Sequence, residues 1–125
     1  MSSFTVLFIA AAFALMGLVA IARPESILAY FGTRSLTRDG RNEVRAVYGG
    51  FGLAIAALLC ASLRHPAIHA GAVLAVAVAL LGMAAGRLLS VLIDGAPGRW
   101  PWIFMAVELG AAAALLGALQ SGDAA

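Results

Sequence analysis

Arg87, Ser90 and Asp94 follow an i, i+3, i+7 spacing, which on a helix lines up a guanidinium, a hydroxyl and a carboxylate on one face. Glu108 stands inside the next apolar run, seven residues after Pro101, while Arg87 stands seven residues before Asp94. If both runs are membrane-crossing helices joined by a tight turn, the two side chains lie at matched depth, roughly 10 Å below one surface. A charge at the centre of such a helix costs about 2.5–3.5 kcal/mol, so Arg87 and Glu108 are expected to pair rather than face lipid singly. Arg45, Tyr48, Gly49 and Gly52 make a comparable face at i, i+3, i+4, i+7 on an earlier run. Arg45, Tyr48, Arg87, Ser90, Asp94 and Glu108 together are one candidate polar cluster.

Two arginines can hold an anionic headgroup or carboxylate through paired N–H donors. On that reading the cluster is a polar pocket for a membrane lipid or small amphiphile, or the surface of an accessory subunit in a larger membrane complex. A second reading makes Glu108 the titrating group of a small transporter or proton-coupled carrier, with Arg87 as its counter-charge. Four short helices need a homodimer to build such a pathway. A third uses Glu108 or Asp94 as acid or base and Tyr48 as donor in a lipid-modifying enzyme. No nucleophile or metal set accompanies them, which leans away from an enzyme. Against all three, an arginine at this depth can reach the headgroups along its own stem, and an Arg87–Glu108 bridge can simply pin two helices together. The charges of Arg45, Arg87, Asp94 and Glu108 sum to zero, which tempers affinity for a bare anion.

Other chemistry is thin. His65 and His69 have the i, i+4 spacing of two metal ligands, but Pro66 starts a helix between them, so a solvated connection is the expectation. Cys60 is the single cysteine, which excludes an internal disulfide, a CxxC pair and a thiolate cage. No serine–histidine–acid set, P-loop or dinucleotide fingerprint is present, and no cofactor is implied. Trp100 and Trp102 flank Pro101 as anchors at the water boundary. Gly82 and Gly86, like Ala10, Ala14 and Gly17, read as close helix contacts within the bundle, with a dimer seam as the alternative. Tyr48-Gly49-Gly50 marks a turn where the helix can loosen.

These residues need elements to carry them. Hydrophobic residues make up 63% of the chain and charged ones 11%, too little polar surface to coat a soluble globule, so lipid must be the solvent. A hydrocarbon core roughly 30 Å thick takes about 20 apolar residues as helix. The stretches 4–22, 44–63, 68–93 and 101–119 qualify. None alternates with period two, which excludes strands closed into a barrel. The fold is therefore all-α: residues 1–125 form a single four-transmembrane-helix domain, a polytopic bundle. The first run lacks a basic leader and exceeds an ordinary signal h-region, so it is read as a span. In the first connection, Pro24-Glu25 opens a short interfacial helix with Ile27, Leu28, Tyr30 and Phe31 as its oily side and Gly32 closing it. Asp39 or Asn42 is expected to cap the second span.

Every basic residue is arginine, too thinly spread for a nucleic-acid partner. Arg23, Arg34, Arg38, Arg41, Arg45 and Arg99 flank the first and third connections, with Arg64 alone opposite. The positive-inside rule then puts those connections in the cytoplasm and both termini across the bacterial inner membrane.

Two blocks, Asn42-Glu43-Val44-Arg45-Ala46-Val47-Tyr48-Gly49-Gly50 and Gly86-Arg87-Leu88-Leu89-Ser90 running to Asp94-Gly95, followed by Glu108, resemble the bacterial four-helix membrane family known as domain of unknown function 4345. The resemblance covers nearly the whole chain and implies the four-helix fold, with no activity attached. In that family a polar residue often follows two places after the glycine pair, where this chain has Gly52. That departure bears on any pocket role for the second span.

Overall fold

The structure, a computed structural model, describes residues 2–123. Residues 1, 124 and 125 of the expected domain lie outside it. Among the described residues there is no strand. Helix α1 (Ser2–Ala22) ends because Arg23 precedes Pro24, whose ring pushes Arg23 out of helical geometry to φ −138°, ψ 70°. Pro24 then serves as the first residue of α2 (Pro24–Ala29), where its missing N–H costs nothing. Gly32 ends the following turn at φ +84°, a conformation open to glycine.

The second span begins earlier than the apolar run suggests. Helix α3 (Arg38–Val44) leads through a π-helical segment (Arg45–Gly50) into α4 (Phe51–Ser62), one helical stretch of 25 residues. Its cap is Thr37, whose hydroxyl accepts from the Gly40 N–H at 3.0 Å. Asp39 instead lies in the first turn, where its charge suits the helix dipole, and Asn42 is inside the helix. The capping expectation failed because polar residues 38–43 continue the helix beyond the apolar run.

A short turn at Leu63, Arg64 and His65 leads to α5 (Pro66–Asp94), which stops at Gly95 with φ +90°. Residues 95–98 then join α6 (Arg99–Asp123). Four helical stretches, Ser3–Ala22, Arg38–Ser62, Pro66–Asp94 and Arg99–Gly122, are long and apolar enough to cross a membrane. The chain is thus a multi-pass membrane protein.

Each helix packs chiefly on its neighbours in a ring, α1 on α4 and α6, and α5 on α4 and α6. The apolar core gathers Val6, Ile9 and Ala10 of α1, Leu59 of α4, Val73, Val76, Ala77 and Leu80 of α5, and Ala112 and Leu115 of α6. By chain position these all lie away from the arginine-rich end. Large apolar side chains such as Phe4, Phe8, Leu92 and Ile93 point outward, as a lipid-facing surface requires.

Candidate functional site

Towards the arginine-rich end, α5 and α6 meet through charge. Arg87 Nη2 lies 2.8 Å from Glu108 Oε1, and Arg87 Nε donates to both carboxylate oxygens, at 3.0 and 2.9 Å. Glu108 is buried to 5% exposure, while the Arg87 side chain retains 26%. The pairing expected from matched depth is present. Three hydrogen bonds satisfy both oxygens of the buried carboxylate.

Aromatic rings surround the guanidinium. Its Cζ lies 5.7 Å from the Phe104 ring centroid and 5.9 Å from that of Phe31, within the range where the negative ring faces attract a cation. Tyr30 meets Trp100 edge-on at 4.8 Å and Phe104 at 5.8 Å, and Phe31 stands 5.5 Å from Phe104. Arg99 in turn stacks over Trp100 at 5.3 Å.

The aromatic residues were assigned other tasks from sequence. Tyr30 and Phe31 read as the oily side of an interfacial helix and Trp100 as a boundary anchor; in the structure all three close on Phe104. The missed signal is Trp100, Phe104 and Glu108 at i, i+4, i+8, one stripe of α6.

Among the described residues, no hydrogen bond or ion pair joins the rest of the candidate cluster to the Arg87–Glu108 pair. Arg45 Nε donates to the Ile21 carbonyl at 2.9 Å, satisfying an end-of-helix acceptor of α1. Tyr48 is half-buried in the π-helical segment, and Ser90 and Asp94 are exposed on α5. Among the described residues, Arg87 and Glu108 are the members of that cluster joined by a hydrogen bond or ion pair.

Packing against α1 accounts for three glycines, one of them Gly49 of the π-helical segment. A Cβ on Gly49 would stand 2.6 Å from Ile21 Cδ1, one on Gly17 would stand 2.9 Å from the Gly49 carbonyl oxygen, and one on Gly52 would stand 3.0 Å from the Phe13 carbonyl oxygen. Gly52 therefore serves close backbone contact with α1, where any side chain would have to push the neighbouring helix aside. Gly82 and Gly86 do the opposite: both are exposed with open space around them, so within one copy of the chain they are not bundle contacts.

At the other end of the bundle, His65 is exposed but His69 is half-buried, with Nδ1 3.1 Å from the hydroxyl of Ser62, which itself donates to the Leu59 carbonyl at 2.8 Å. With the hydroxyl proton committed to Leu59, His69 donates from Nδ1. His69 is thus a fastening of the α4–α5 turn rather than a solvated residue. Among the described residues no group of three or more metal-ligating side chains forms.

Two lateral grooves open on the bundle. One of about 460 Å³ is lined by Leu18, Val19, Ala22, Arg23 and Ser26. The other, of about 310 Å³, lies between α1 and α6 along Phe8, Ile9, Val107 and Ala111. Neither reaches Arg87 or Glu108, so the charged pair is approached across a surface beside the aromatic rings.

The family described as Domain of unknown function (DUF4345) matches residues 1–119. The chain belongs to that family. No curated protein and no solved structure matches this DUF4345 member. In it the "RAVYGG" block forms the π-helical contact with α1, and the "GRLLS" block carries the arginine of the buried pair.

Proposed function

We propose that this protein is an inner-membrane lipid- or amphiphile-binding protein whose contact with the ligand is Arg87. Its arginine-rich end lies in the cytoplasm and both termini across the membrane; the distribution of arginines between the two ends supports that orientation. The observation that carries the binding reading is the outward edge of the guanidinium. Nε–H is shared between the two carboxylate oxygens and one Nη2–H is committed, which leaves the two Nη1–H groups and the second Nη2–H without an acceptor among the described residues. Those donors sit within a membrane span on a side chain that is one-quarter exposed. Inside a bilayer such donors gain most from an oxygen-rich headgroup.

A purely mechanical clasp is the competing reading, favoured by the complete satisfaction of Glu108. The two readings separate in one experiment. Protein purified with native membrane lipid is stripped and its retained lipid counted by mass spectrometry, with Arg87→Leu/Glu108→Leu as comparator. Removing both charges leaves no orphan in the span, so the double variant keeps the bundle. Loss of a tightly held lipid in the double variant supports binding; an identical retained set in both proteins leaves only the clasp.

A further inference from the structure

The electrical balance of the site narrows the class of ligand. A bare anion approaching Arg87 meets a guanidinium already neutralised by Glu108 at 2.8 Å, so its Coulombic gain is small while it must still leave water. A headgroup carrying both signs also leaves water, but a second contact that takes its cation supplies a gain the bare anion lacks. Glu108 cannot be that contact, because it is buried and both its oxygens are occupied.

Tyr30 can. The residue is 48% exposed, and its hydroxyl makes no hydrogen bond among the described residues. The Arg87 guanidinium lies over Phe31 and Phe104, and Arg99 lies over Trp100, whereas no cation lies over Tyr30 among the described residues. Arg87 and Tyr30 stand 5.7 and 5.8 Å from the same Phe104 ring. Their separation cannot exceed the sum of those two distances, which is within reach of a phosphate and an ammonium two carbons apart, each adding its own contact distance.

We infer that the ligand is a zwitterionic phosphoamine amphiphile, its phosphate on the free N–H edge of Arg87 and its ammonium on the face and hydroxyl of Tyr30. The inference rests on the lipid-binding reading above. A zwitterion also brings no net charge into the span, which suits a site roughly 10 Å along the helix from the α5 end.

The test uses the full chain in nanodiscs, titrated with phosphatidylethanolamine or phosphatidylglycerol of identical acyl chains and read by native mass spectrometry. Wild type is expected to prefer the ethanolamine lipid by about 3-fold or more, the size of an exposed cation–π contact. Tyr30→Leu is expected to bring that preference to unity, and Tyr30→Phe, a milder change should the first variant fold poorly, to keep most of it. Soluble phosphoethanolamine at equal concentration is expected to displace little lipid, because it brings no acyl chains; full displacement would make the free headgroup compound the ligand and overturn the amphiphile. Equal or greater retention of phosphatidylglycerol, abolished by Arg87→Leu/Glu108→Leu, would overturn the zwitterion and leave lipid binding standing. Retention that the double variant does not alter would overturn both.

Discussion

Two of the seams in the ring, α1 with the second span and α5 with α6, close by opposite means. Between α1 and the second span the helices approach until backbone meets backbone, with a Cβ on Gly17 or Gly52 standing within 3.0 Å of a carbonyl oxygen of the other helix. Between α5 and α6 a charged pair and its ring of aromatics do the joining, and the neighbouring glycines of α5 face open space. In lipid neither seam gains from expelling water, so one relies on dispersion and the other on hydrogen bonds. The first seam offers no spare donor at its glycine contacts. The second does, because a guanidinium has more donors than one carboxylate can accept, and that surplus makes the α5–α6 side the place to look for a ligand.

The sharpest way to break this comparison is to remove one charge. Arg87→Leu leaves Glu108 buried and unpaired, and the bundle is expected to lose about 3–5 kcal/mol. Thermal unfolding in mild detergent should show a large fall that Arg87→Leu/Glu108→Leu mostly restores. Equal losses in the single and double variants would mean that the two side chains are not energetically coupled.

A methyl group tests the other seam. Gly17→Ala drives its Cβ to 2.9 Å from the Gly49 carbonyl and 3.0 Å from the Leu53 nitrogen, both backbone atoms that cannot swing aside. A loss of about 1–3 kcal/mol is expected in the same melt. Gly49→Ala meets only the end of the Ile21 side chain, which can rotate, so its loss should be clearly smaller. If the order of the two variants reversed, the backbone contact would not be what closes this seam.

Arg45 sits beside the glycine seam but binds it by one exposed hydrogen bond to the Ile21 carbonyl. Arg45→Ala is expected to cost about 0.5–1 kcal/mol and to leave lipid retention unchanged. Loss of lipid in that variant would return Arg45 to the binding site.

How much of this could be read in advance follows from what each interaction depends on. The spans were legible because burying backbone in lipid demands long apolar helices, and the Arg87–Glu108 pair was legible because an unpaired intramembrane charge is costly. Matched depth from a tight turn was then enough to join two helices. Grouping Arg45, Tyr48, Ser90 and Asp94 with them needed the rotation of each helix about its axis, which spacing within one helix does not supply. The same gap misplaced Gly82 and Gly86. Tyr30 and Phe31 depended on how α2 and the turn that ends it are laid against α6, a placement set by tertiary contact with Phe104 rather than by local sequence.

The weakest expected effect bears on that rotation. Gly82→Ala and Gly86→Ala place methyl groups in open space on the outer surface of α5, so they remove backbone freedom without creating a clash. Each is expected to be neutral or to stabilise the isolated bundle by up to about 1 kcal/mol. The melt in detergent reads this for the single chain, and crosslinking in native membranes reads it for any assembly. Destabilisation confined to the membrane, with a drop in crosslinked pairs, would show that α5 closes a further seam, between copies, by the same backbone approach that α1 uses within one.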